Sequence, residues 1–127
     1  MSTLAVNLVT RGGPGGPWRM VLVEEGPWSA SEQESRLRGL QDRLYDSVDA
    51  AIEGVLAQHY PDSRGQSVVI RVDGYNLPEE AVRSLFERFA AAMQALPEYV
   101  AAIAASEAVK EIGLELNLER LPAPDAA

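Results

Sequence analysis

The chain contains no cysteine, one histidine and a single lysine against ten arginines. Without cysteine there is no disulfide framework, no thiol nucleophile and no thiolate metal site. A lone His59 cannot assemble a zinc site of the usual composition, so no metal and no cofactor are expected. Near a helix C-terminus its charged form would simply favour the dipole. No Gly-x-Ser-x-Gly elbow occurs, which removes the common route to a Ser-His-Asp triad. No run approaches the ~20 apolar residues that span a bilayer. The opening Met1-Ser2-Thr3-Leu4 lacks the basic region and apolar core of a signal peptide, so a cytoplasmic protein is expected.

Bases are scarce as a class: eleven stand against nineteen acids, for a net charge of -8. A duplex carries one phosphate per ~1.7 Å of axis, and proteins that bind it answer with a basic patch. The arginines here are scattered instead. Nucleic acid and anionic membrane are therefore poor partners. The acidic balance serves solubility or suits a basic protein surface.

What is present is a globular pattern. With 127 residues, 46% of them hydrophobic, the chain is expected to form one domain over 1–127. Leu4 to Thr10 read as a strand with Leu4, Val6 and Leu8 on one face. Trp18 to Glu24 form a second, and the Gly/Pro-rich stretch 11–17 between them makes an N-terminal hairpin over 1–26. That loop lacks the Gly-Lys-Ser/Thr ending of a phosphate-binding loop and is followed by a strand, which argues against a phosphate cradle. After Gly26-Pro27, Ser29 with Glu32 and Ser31 with Glu34 offer two capping boxes. Leu37, Leu40, Leu44, Val48, Ala51 and Val55 then fall within about 80° of a helix surface, the core face of a long helix, and Gly54 is a candidate break in it.

Ser67 to Val72 is a nearly continuous β-branched run, expected to be a strand covered on both faces. Pro78-Glu79-Glu80 opens a helix whose stripe is Val82, Leu85, Phe86, Phe89 and Met93. Pro97 restarts or kinks the chain into a small-residue helix reaching Gly113. Leu114 to Glu119 alternate strictly as a last strand, and 121–127 form a flexible tail. The predicted fold is α+β: a two-layer sandwich of order ββαβααβ, with a helix-strand-helix-strand unit over 29–120 and helices on one face of a four-stranded sheet. The last strand is antiparallel to the third if the helix pair is a hairpin, and parallel if it is one kinked crossover. Val21, Val23 or Val69 protruding from the far face would call for a second cover, supplied by a homodimer.

Several stretches in the middle of the chain carry a family likeness. These are Leu40-Gln41-Asp42-Arg43-Leu44-Tyr45, the Glu53-Gly54 step, Tyr60-Pro61, Gly65, Val69-Ile70-Arg71-Val72 and Pro78-Glu79-Glu80-Ala81. Over residues 36 to 90 the sequence resembles a family of small bacterial α/β proteins of unknown function, built as a helix-strand-helix-strand unit. The resemblance implies a bacterial, cytoplasmic protein and brings no chemistry, because its motifs are core leucines, a turn proline and a helix cap. Pro97 to Glu111 is longer than the family's usual connection.

The long helix carries the most informative charges. Asp42, Asp46, Asp49 and Glu53, spaced i, i+4, i+7 and i+11, occupy about 60° of arc opposite the leucine stripe. Earlier on this helix Glu32 with Arg36, Glu34 with Arg38, and Arg38 with Asp42 are spaced to pair. No base follows the later acids at that i+4 spacing. Like charges at this spacing cost roughly 0.2–0.5 kcal/mol per pair, a cost that a solvated face tolerates and a basic partner would relieve. Trp18, Trp28 and Tyr75 stand beside turns, where aromatics either close the end of a core or serve as pocket or interface anchors. The expected function is a non-enzymatic protein-interaction module, in its most concrete form an acidic inhibitor of immunity or antitoxin type. The alternative is a small-molecule-binding domain or small enzyme with a carboxylate-lined pocket between the hairpin loop and Asp73–Asn76.

Overall fold

Hydrophobic periods of about two and of three to four alternate along the chain, and the long helices and the inner strands follow them. The computed structural model describes residues 6–13 and 16–122. β1 (Leu8–Arg11) and β2 (Trp18–Glu25) form the hairpin. α1 (Gln33–Glu53) and the short α2 (Val55–His59) lead to β3 (Gln66–Tyr75), and α3 (Glu79–Ala95) and α4 (Pro97–Ala105) lead to β4 (Val109–Glu119). The four strands make one mixed sheet in the order β1-β2-β3-β4, so the α+β class and the ββαβααβ order are those predicted. β1 runs antiparallel to β2, whereas β2–β3 and β3–β4 are parallel. The helix pair α3–α4 thus acts as a single crossover, which resolves the direction of the last strand.

Two right-handed crossovers advancing the same way across a sheet lay their helices on the same face. Burial follows that geometry. Trp18, Met20 and Leu22 of β2 and Val68, Ile70 and Val72 of β3 pack with Leu40, Leu44, Val48 and Ala51 of α1 and with the predicted stripe of α3. Each such leucine contributes about 1.5–3 kcal/mol through burial. At Gly54 the backbone turns to φ 89° and its N–H donates to the Ala50 carbonyl, which ends α1 where the sequence places a break. A side chain there would cost about 1–2 kcal/mol in left-handed strain.

Four local expectations need correction. β3 is not covered on both faces: its burial alternates strictly, with Val69, Arg71 and Asp73 only half-buried. β4 begins at Val109 rather than Leu114, because Ser106 ends α4 and its hydroxyl donates to the Ile52 carbonyl at 2.8 Å, turning the chain back into the sheet. Leu8 of β1 is 53% exposed, and it is Val9 of β1 and Val6 ahead of it that pack on the core. The parity breaks at Asn7, whose side-chain oxygen accepts the Val23 N–H at 2.9 Å; Leu4 lies outside the described residues. The capping boxes are half made, since the Glu32 carboxylate accepts the Ser29 N–H at 3.0 Å while no side chain caps α1 itself. Of the predicted tail, 123–127 lie outside the described residues, and the Leu121 N–H is held by the Asn76 side chain at 2.9 Å.

Candidate functional site

The amphipathic period of α1 that buries its leucines turns its acids outward. Asp42, Asp46 and Glu53 are exposed and Asp49 is half-buried. Among the described residues, Asp42, Asp46 and Asp49 have no basic side chain within ion-pair distance, although Glu34 does meet Arg38 at 3.5 Å one turn earlier. Burial, then the charges of Glu53 and Asp46, push the Asp49 carboxyl above its ordinary value. The ridge therefore holds negative charge that the fold leaves uncompensated at Asp49.

Beside the ridge lies α4. Tyr99 sits against Tyr45 of α1, with ring centroids 6.0 Å apart, and Tyr45 in turn meets Phe89 edge-on at 4.9 Å. Burial, followed by the Asp49 charge, raises the Tyr99 phenol, which places that carboxylate close to the start of α4. α4 is apolar over most of its length yet has no buried residue, and Val100 is 49% exposed. Carboxylates and apolar surface thus adjoin along one flank of the helical layer.

The opposite face of the sheet carries a feature that sequence reasoning missed. Arg19 of β2, Arg71 and Asp73 of β3 and Glu115 of β4 share its centre. One Glu115 oxygen accepts from Arg19 Nε at 3.2 Å and Arg71 Nη1 at 3.3 Å, and Arg71 Nε donates to Asp73 at 2.8 Å. Donation from Arg19 is the main reason that the Glu115 carboxyl lies below its ordinary value. Side-chain parity was visible in each strand, but only the strand order and register bring the four groups together. Val21, Val23 and Val69 lie on this same face as expected, in register with Arg71, Asp73 and Arg19, and the network sits among them. Within a single chain Val21 is 4% exposed and Val23 and Val69 are half-buried. A second missed link is Arg43 of α1. It donates to Glu24 of β2 and to the Asn7 side chain, both at 2.6 Å, and pins the helix to the hairpin.

Trp18 and Trp28 are 8% and 9% exposed and belong to the core cluster. Arg11 lies over the Trp18 ring, 5.2 Å from its centroid, and Tyr60 flanks it. Tyr75 is half-buried and lines a groove of about 350 Å³ with Glu25, Gly26, Asn76 and Leu121. In the parallel register Trp18 pairs with Val68 and Glu25 with Tyr75. Trp18 and Tyr75 are therefore seven rungs apart, roughly 23 Å along the sheet. The hairpin loop and Asp73–Asn76 fall at opposite ends of the strands, so they do not enclose a common pocket. Further concavities are a cleft of about 230 Å³ between α1 and α3 at Gln41, Tyr45 and Arg88, one of about 460 Å³ at the start of β3 and β4, and one of about 200 Å³ beneath α3 and α4. Asp49 lines none of these four. Among the described residues no three His, Asp or Glu side chains converge as metal ligands, and no helix is long and apolar enough to cross a membrane.

Comparison with family models, with curated proteins and with solved structures finds no match to this chain.

Proposed function

We propose that the chain is a non-enzymatic interaction module whose α1 ridge, Asp42-Asp46-Asp49-Glu53, receives a cationic, amphipathic segment of a protein partner. The observation that carries this reading is Asp49: a half-buried carboxylate, raised by burial and by its acidic neighbours, beside an apolar helix with no buried residue. Such a group is a local cost to the folded chain. A guanidinium or ammonium arriving at the ridge removes that cost and adds charge-assisted hydrogen bonds, while its apolar neighbours cover Val100 and Tyr99. The most concrete version remains an inhibitor that caps a basic toxin surface. The bacterial, cytoplasmic setting implied by the resemblance over residues 36–90 fits that role.

The test uses a defined probe, a helical peptide with arginines along one face and leucines along the other. Binding followed by calorimetry is expected to weaken at least tenfold from about 0.05 M to about 0.3 M salt. The double variant Asp46→Lys, Asp49→Lys is expected to abolish it with the circular dichroism spectrum unchanged. Equal affinity of that variant and the parent chain would overturn the proposal.

A further inference from the structure

Nineteen acids stand against eleven bases in this chain, so an arginine left without a carboxylate is informative. Six of the ten arginines meet an acid within ion-pair distance. Among the described residues, Arg36, Arg64, Arg83 and Arg88 do not, and of these only Arg88 lines one of the four concavities. The cleft in question lies between α1 and α3, measures about 230 Å³ and is lined by Gln41, Tyr45, Leu85, Arg88 and Phe89. Arg88 engages only the Ser84 carbonyl of its own helix, through Nε at 3.4 Å. That bond is long, and it leaves both terminal guanidinium nitrogens unoccupied. Across the cleft the Gln41 amide is exposed and has no hydrogen-bond partner among the described residues. The floor is apolar: Leu85 and Phe89 are buried, and the Tyr45 ring meets Phe89 edge-on at 4.9 Å.

We propose that this cleft binds a small aromatic carboxylate, its acid group on Arg88 and Gln41 and its ring against Leu85, Tyr45 and Phe89. The guanidinium selects the head group. Its terminal N–H groups form a planar fork that matches the two oxygens of a carboxylate, and such charge-assisted pairs are roughly twice as strong as neutral ones. Arg88 is the single base lining the cleft, and one cation balances a monocarboxylate better than a phosphate ester. The walls select the body, because aromatic side chains hold a flat ring in offset or edge-on contact. Volume sets the size. A cavity of ~150 Å³ accepts one benzene ring. A cleft of about 230 Å³ therefore suits a single ring with a short acid arm. It falls below the ~300–1,000 Å³ of sites that hold drug-sized ligands, and is too small for a nucleotide. The net charge of the chain opposes an anion at long range, but screening confines that effect to about 8 Å at physiological ionic strength. No acid of the α1 ridge lines the cleft, so this site does not depend on docking at the ridge.

Titration of the full ¹⁵N-labelled chain with phenylacetate, read by amide shifts and by calorimetry, tests the proposal. Binding is expected with a Kd of about 0.1–1 mM, with shifts centred on Gln41, Tyr45, Leu85, Arg88 and Phe89. Phenylacetamide keeps the ring and loses the charge, whereas acetate keeps the charge and loses the ring. Each is expected to bind at least about tenfold more weakly than phenylacetate. Arg88→Gln should weaken phenylacetate binding about tenfold or more with the circular dichroism spectrum unchanged, since Arg88 is exposed and holds no carboxylate of the fold. Gln41→Glu, which sets an acid against the incoming one while Arg88 is retained, should weaken it by a similar factor. No shift in the cleft at about 10 mM phenylacetate, equal binding of phenylacetamide or acetate, or an unchanged affinity in either variant would overturn the proposal.

Discussion

Replacing Asp49 by Asn should make the isolated protein more stable. The carboxylate is half-buried, raised first by that burial and then by Glu53 and Asp46, and has no cation within ion-pair distance among the described residues. Neutralising it relieves two like-charge interactions at helical spacing, worth roughly 0.2–0.5 kcal/mol each, for a gain of about 0.4–1 kcal/mol at neutral pH. For a domain of this size that corresponds to roughly 2–4 °C in melting temperature. The sign with pH follows from linkage. A carboxyl raised in the folded state binds its proton more tightly there than in the unfolded chain, so the parent protein gains stability as pH falls through the raised value. The advantage of Asp49→Asn is therefore full above that value and vanishes below the ordinary aspartate range, about pH 4. Urea titrations at pH 7 and pH 3.5 measure it, with the fluorescence of buried Trp18 and Trp28 as the signal. A loss of stability at pH 7 would show that Asp49 is satisfied within the fold, and the argument for a partner would fail with it.

Two further substitutions probe the scaffold. Arg43→Ala should cost about 1.5–3 kcal/mol, since it strands the Glu24 carboxylate, whose side chain is only 13% exposed, and releases Asn7. Equilibrium denaturation reads this, and a loss below 0.5 kcal/mol would mean that the α1–hairpin link is slack. Glu115→Gln should cost about 0.5–1 kcal/mol at pH 7, a figure limited by the one-third exposure of the network to solvent. Because the Glu115 carboxyl is lowered in the folded state, its contribution is present above the ordinary glutamate range and is lost as pH falls through the lowered value. The difference between Glu115→Gln and the parent chain should then vanish in acid.

Much of the architecture was legible because it depends on local spacing. The leucine stripe of α1, the stripe of α3, the break at Gly54 and the alternation in Leu114–Glu119 each report a periodicity that needs no knowledge of neighbours. The acidic ridge is legible for the same reason, being the complement of the leucine stripe on one helix. The errors lie where long-range partners decide. Asn7 substitutes its side chain for backbone pairing and breaks the parity of β1, and Ser106 anchors to Ile52 and brings Val109–Gly113 into the sheet instead of α4. The β-branched run at Val68–Val72 resembles a doubly covered strand, yet its outer face is shielded by the arginine and carboxylate groups of three strands. Such a network is specified by register, and register cannot be read from any one strand. Trp18 and Tyr75 show the same dependence: both stand beside turns, but the parallel pairing of β2 with β3 sends them to opposite ends of the sheet.

Docking at the ridge can be observed most directly by amide chemical-shift mapping of the ¹⁵N-labelled chain, titrated with the arginine–leucine peptide at low salt. Shifts concentrated along Asp42–Glu53 and at Tyr99–Ile103, and absent from the Asp49→Lys variant, are the expected result. Shifts confined to the Arg19–Arg71–Glu115 face, or none at saturating peptide, would contradict the assignment of the ridge as the docking surface.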